Sequence, residues 1–180
     1  MTLLAHIVLL AEYNAWMNGR LYEAAARLPA AEVAAPRQAF FGSLLGTLNH
    51  IAVGDTIWLQ RFAGHPARFA ALAPLRDWPR PAALDQVLHD GLPVLAEYRA
   101  RLDATISDWV AELREEDLDH PLVYANSKGV AAARDFGGLV MHFFNHQTHH
   151  RGQATTLLAQ AGEDMGVTDL LALIPDRSRR

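Results

Sequence analysis

Apolar residues recur at helical spacing through most of the chain. Between residues 3 and 28, Leu3, Ile7, Leu10, Met17, Leu21, Ala24 and Leu28 fall on one stripe, and Pro29 stops it. A second stripe over residues 41–64 carries Leu44, Leu45, Leu48, Ile51, Ala52, Trp58, Leu59 and Phe62, with Ser43 placed to cap its start and Gly64 to end it. Residues 65–81 hold four of the 9 prolines and no sustained period, which predicts a long connection. From about residue 82 to residue 113 the helical pattern returns, from Leu84 and Val87 to Trp109 and Leu113. Within it, Pro93 either kinks the helix or marks its true start, because it has no backbone N–H to donate. The stretch "PLVYANSKGVAA" predicts two short strands around a turn with Asn126 and Gly129, or else an irregular loop. Asp135 is placed to cap a last long helix that Gly162 ends, and the tail beyond it adds at most one further turn.

Four long helices and one long crossover loop predict an all-α fold, a four-helix bundle with a short β-hairpin before its last helix. Facing helices of such bundles build metal sites in the core. The length of 180 residues suits a single domain spanning 1–180.

Composition narrows the function. Hydrophobic residues at 51% and charged residues at 20% belong to a chain that packs a core. The net charge is −4, and the basic residues are scattered apart from Arg177, Arg179 and Arg180 in what reads as a solvated tail. Without a clustered basic face, nucleic-acid binding is not expected. No run approaches the roughly 18 apolar residues that cross a bilayer, and the N-terminus lacks the basic region and cleavage site of a signal peptide. The expectation is therefore a cytoplasmic protein with no membrane partner. With no cysteine present, disulfides, thiolate metal sites and a thiol nucleophile are excluded, and any metal must use His, Asp, Glu or water.

The chemistry gathers in "MHFFNHQTHHRGQ", which holds four of the 9 histidines. On a helix, taking His142 as zero, His146 falls at about 40°, His150 at about 80° and His149 at about −20°, so all four share one arc. Leu139 and Leu157 lie on the same arc, which points the stripe inward. Each buried imidazole needs a partner, since leaving one unsatisfied costs about 1–3 kcal/mol. Ordinary hydrogen bonds would do, and so would a divalent ion shared by an i, i+4 pair. Spacing alone leaves open both that choice and the pair, because His142 with His146 fits as well as His146 with His150. The glutamate of a zincin motif is missing, with Gln147 in its place, and no Glu-x-x-His pair occurs. A catalytic metal wants about three protein ligands and an open position. His50, mid-helix in an apolar stretch, is the natural third candidate, although a lone core histidine is also an adequate account of it; Asp55, about 140° round the helix, is a weaker one. Gln153, on the histidine stripe, has an amide able to bond a ligating histidine or a substrate. Arg151 points away from the stripe towards the surface or a dimer seam, Gly152 reads as a point of close helix approach, and Tyr13 and Trp16 fit either the core or a pocket mouth.

Taken together, "YNAWMNGRL", "FGSLLGTLNHIAVGDTIWLQRF", "DLDHPLVY", "FFNHQTHHRGQATTLLAQAG" and "GVTDL" resemble the DinB family of bacterial proteins, from about Leu4 to Ile174. The resemblance implies a four-helix bundle, often a homodimer, that holds one divalent metal with three histidines. Carried onto this chain, the ligands are His50, His146 and His150, which leaves His142, His149 and Gln153 around them or in the pocket. Related families with the same bundle and triad use the metal in thiol transfer, and other members are described as metal-dependent hydrolases.

Three neutral imidazoles leave the ion's charge uncompensated, so water or a thiol bound to it would be acidified. Imidazole ligation suits zinc or nickel. Two function classes follow: an enzyme in which a metal-activated water or low-molecular-weight thiol acts on a small-molecule substrate, or a non-catalytic metal-binding bundle with a structural or vestigial site. Because ligation needs deprotonated imidazoles, metal affinity is expected to fall below about pH 6, as a pH series of metal titrations would register.

Overall fold

The computed structural model describes residues 1–126 and 129–179. The protein is mostly helical, with one small two-stranded antiparallel sheet. Helix α1 (Leu3–Ala26) is capped by Thr2, whose hydroxyl accepts from the Ala5 N–H at 3.2 Å. A short α2 (Ala30–Ala34) follows Pro29. Helix α3 (Leu44–Phe62) begins where the cap residue predicts, with the Ser43 hydroxyl accepting from Gly46 N–H at 3.0 Å. Helix α4 (Leu92–Glu112) and a single turn α5 (Glu115–Leu118) lead to strands β1 (Pro121–Ala125) and β2 (Ala131–Asp135), which pair with Pro121 opposite Asp135 and Ala125 opposite Ala131. Of the expected turn, Ser127 and Lys128 lie outside the described residues; Gly129 takes a left-handed φ of 76°. Helix α6 (Phe136–Gln160) follows β2 directly. It ends at Gly162 with φ 85°, where the Glu163 N–H bonds back to the Leu158 carbonyl at 3.0 Å.

Two expectations need correction. Residues 82–91 are not helical, and Pro93 lies in the first turn of α4, where a missing N–H breaks no intrahelical bond. The apolar period upstream of it was misleading, since Leu84 and Val87 are exposed. The backbone there is bonded to a side chain of α3: Leu88 and His89 N–H both donate to Asn49 Oδ1, at 2.8 and 3.1 Å. The C-terminal tail is also more than a loose end. Thr168 carbonyl accepts from the Tyr13 hydroxyl at 2.6 Å, Met165 carbonyl accepts from Arg20, and the Met165 side chain is buried. Arg177 is exposed, and Arg180 lies outside the described residues.

Helix α1 packs against α4 and α6, and α3 packs against the same two helices. Between them lies an apolar core that includes Leu21, Leu48, Leu102, Ile106 and Leu158. At one end Phe62, Trp109, Phe136 and Phe143 form an aromatic cluster, with ring centroids 5.2 Å apart for Phe62–Trp109 and for Phe62–Phe136. Each such side chain contributes about 1.5–3 kcal/mol on leaving water. No helix among the described residues is long and apolar enough to cross a membrane.

A polar layer crosses this interior. Arg99 is ion-paired with Asp55 and, at 2.9 Å, with Asp103, while Asn14 and Asn18 each donate to Asp103 at 2.9 Å. Arg151 belongs to this layer and not to the surface: it is 3% exposed and donates to Asn14 Oδ1 and to Thr148. Asp55 is thereby committed to Arg99. Gly152 is exposed with open space around its Cα, so it serves no close helix contact. Replacing Arg99 by Met strands the buried Asp55 carboxylate and deprives the half-buried Asp103 of its charge partner, and urea denaturation should read a loss of about 3–5 kcal/mol.

Candidate metal centre

Helix α3 carries His50 in its second turn, and α6 carries His146 and His150 one turn apart. The packing of α3 on α6 brings one ring nitrogen from each within 4.8 Å of the others. Ring centroids are separated by 4.3 Å for His50–His150, 4.4 Å for His146–His150 and 5.2 Å for His50–His146. Phe41, just before α3, stacks on His50 at 3.8 Å and meets His150 edge-on at 5.5 Å, closing one side.

The hydrogen bonds fix the tautomers. His50 Nδ1 lies 2.7 Å from the Leu84 carbonyl, which only accepts, so Nδ1 carries the proton. His150 Nδ1 lies 2.8 Å from Gln153 Oε1 and donates likewise, while the Gln153 amide nitrogen faces His149 Nε2 at 3.3 Å. Neutral His50 and His150 therefore each present a bare Nε2, and the two nitrogens face each other at 3.1 Å. Two lone pairs at that distance repel unless a cation lies between them. Nitrogens about 2.0–2.1 Å from a tetrahedral zinc would themselves be about 3.3 Å apart, so the observed spacing fits an ion. The donor set is all imidazole, which suits a first-row divalent metal.

Electrostatics keeps the rings neutral. Burial pushes the His146 pKa down to about 3, helped by His150 and His50 nearby. His50 is lowered by burial, against the opposing pull of its bond to Leu84, and His150 is lowered by burial against its bond to Gln153. The ring nitrogens are thus held deprotonated below the ordinary histidine range, the state that ligation of an ion would require.

Two residues that spacing did not single out position this site. A Cβ on Gly54 would lie 2.8 Å from His146 Cε1, so the ring occupies the space a side chain would fill. Gly54 is one helical turn beyond His50, and a glycine inside a helix is itself a signal, since it costs about 1 kcal/mol relative to Ala. Asn49 is the other: besides accepting from Leu88 and His89, its amide donates to the Leu45 and His89 carbonyls, each at 3.0 Å. These bonds latch the 84–89 segment to α3 and hold the Leu84 carbonyl against His50.

His142 is on the wall of a cleft of about 570 Å³ that opens beside His50, Gly54 and His146. Its ring meets Trp58 at 5.1 Å and lies 6.0 Å from His146, and burial lowers its pKa with help from Arg61. His149 is exposed and touches the site only through Gln153 and the His150 ring. Tyr13 and Trp16 do not line this cleft; Trp58 and Tyr124 do.

The sequence profile of the DinB family matches residues 2–177. The chain is similar to Protein DinB of Bacillus subtilis (strain 168), at 28% identity over 160 residues that cover 88% of this chain and 87% of the relative. No solved structure gives a significant match.

Gly54→Ala should weaken cobalt or zinc binding about tenfold or more in a chelator competition, as disturbed support of a ligand does, while the metal-free protein unfolds no earlier in urea. A pH effect follows from His146. The unfolded imidazole binds a proton near pH 6.5, and the folded one not until about pH 3. Between those values the unfolded state holds more protons, so the metal-free fold loses stability as the pH falls. Urea midpoints at pH 7.5 and 5 should drop further for the wild type than for His146→Leu.

Proposed function

Because this chain belongs to the DinB family and brings three imidazoles to one point, we propose that it binds a divalent metal, zinc or nickel, through His50, His146 and His150, and uses it as an enzyme on a small molecule. The observation that carries the reading is the pair of bare Nε2 atoms of His50 and His150, facing at 3.1 Å with both Nδ1 protons committed elsewhere. The proposal includes a four-helix bundle formed by the four long helices as one domain over residues 1–180. It also takes from the family resemblance a homodimer, and places the protein in the cytoplasm.

When bound, such an ion acidifies a water or thiol at its open position and so supplies a nucleophile at neutral pH. The chain's own residues do the rest. Leu84 and Gln153 hold two rings in the ligating tautomer, Gly54 makes room for the third, and Phe41 excludes water from one flank. The cleft beside His146 admits a substrate on the other flank, which favours a working site over a closed structural one. With no cysteine in the chain, a thiol would have to arrive as co-substrate. Thiol transfer and hydrolysis are the two reaction classes that this arrangement serves.

Elemental analysis of tag-free protein should find about one ion per chain in the wild type and almost none in His50→Ala. Equal metal content in the two proteins would remove His50 from the site. Cobalt-substituted protein should change its visible spectrum on adding a low-molecular-weight thiol; silence towards every thiol tried would leave hydrolysis as the reading.

A further inference from the structure

Among the described residues, the cleft beside the histidines carries two positive side chains and no negative one. Arg61, on the last turn of α3, and Arg80, in the loop before α4, both line it, and no Asp or Glu does. Among the described residues, neither arginine has a carboxylate within ion-pair distance, although the chain as a whole carries a net charge of −4. Asp85 acts on His50 through space but is not part of the cleft wall.

Arg61 is also held in place. Its guanidinium carbon lies 4.5 Å from the Trp58 ring centroid and 5.0 Å from that of Tyr124, so the two rings fix its plane. Its Nε is buried without a hydrogen-bond partner. Burial lowers the Arg61 pKa and the charge of Arg80 lowers it further, against the opposing influence of Tyr124, as follows when two cations share one cleft. Arg80 is kept there by the chain: it lies between Pro79 and Pro81, and the preceding segment is tied to α3 by Gln60, which donates to the Leu75 and Trp78 carbonyls at 3.2 and 3.0 Å. Holding two like charges together costs stability unless a ligand neutralises them.

From this geometry we infer that the substrate is an anion, with a carboxylate or phosphate seated on Arg61 and Arg80 while its reacting end lies at the histidines. The inference rests on the metal site proposed above and names its substrate class. It also sets a length. Gly54, which abuts His146, is seven residues before Arg61, or about 10 Å along the helix axis, which gives the scale of the span from the anionic group to the reacting end. Trp58, between the two along α3, gives the connecting part of the molecule an apolar wall.

Two thiols of matched length test this. Extended 8-mercaptooctanoate separates sulfur and carboxylate by about 10 Å, and 8-mercaptooctan-1-ol is its neutral counterpart. On cobalt-loaded protein, read by the visible spectrum, the acid should bind at least about tenfold tighter than the alcohol. That advantage should shrink to within about twofold in Arg61→Met/Arg80→Gln. Arg80→Gln alone, at an exposed residue, should remove part of it while leaving the urea midpoint close to that of the wild type. Equal affinity of acid and alcohol for the wild type would overturn the anionic subsite and leave the metal reading standing. Should neither thiol change the spectrum, thiol chemistry falls, and calorimetric titration of metal-free protein decides the subsite by itself. There octanoate or octyl phosphate should bind where octan-1-ol does not, the tighter one naming the anion, and the double variant should lose that binding. Indistinguishable titrations for the anions and the alcohol would overturn it.

Discussion

Two imidazole nitrogens held face to face are the constraint on which the site depends. His50 and His150 each donate the Nδ1 N–H in a hydrogen bond to an oxygen, which leaves Nε2 of both rings bare at 3.1 Å. Burial opposes the simplest relief, protonation of either ring, because a charged imidazole would lose its solvation. What remains is a position where a cation from outside gains and a proton does not. The surrounding residues sustain that condition: Asn49 holds the loop whose carbonyl fixes His50, and Gly54 leaves His146 room to complete the set.

The register of α6 is set on two faces at once. His146 turns to the cleft and, with His150, to His50, while the next residue in each case, Gln147 and Arg151, is buried in the interior. Arg151 bonds Asn14, which in turn donates to Asp103, and Asp103 pairs with Arg99 beside Asp55. A rotation of α6 by one residue would take the histidines off the site and also leave buried charges without partners, at several kcal/mol each. Polar contacts on the interior face thus hold the histidines on the other face in register with His50, which packing of interchangeable Leu and Phe side chains alone would do less sharply.

The long helices were legible because caps and terminators agree with apolar spacing: Ser43 before α3, Gly162 after α6 and Pro93 at the head of α4. The segment 82–91 misled because its apolar spacing was helical while its backbone is claimed by Asn49 and His50, a contact between residues roughly forty apart that no local pattern encodes. The same blindness sent Arg151 to the surface and offered Asp55 as a ligand, since only the packed helices reveal that each has a partner of its own. Spacing placed the histidines on one arc but left two pairs equal, and family resemblance chose between them. In the structure the unchosen His142 lies one turn before His146, against Trp58. Phe41 was unreadable as part of the site, because nothing local ties a residue before a helix to a ring within it.

The distribution of charge completes the picture. Inside the helices every buried cation that takes part in the polar layer meets an acceptor, Arg99 between two carboxylates and Arg151 at Asn14 and Thr148. In the cleft the rule is reversed, with neutral histidines, two arginines and no acid among the described residues of its wall. Stability alone would favour a glutamate beside Arg61 or Arg80, since opposite charges at close range lower the energy of the fold. A carboxylate there would also screen the field that an incoming anion feels, and near the histidines it would compete for the cation's open position. The positive cleft is therefore better explained as a surface shaped for binding than as a surface shaped for folding, and its cost is borne by the compensated layer and aromatic core behind it.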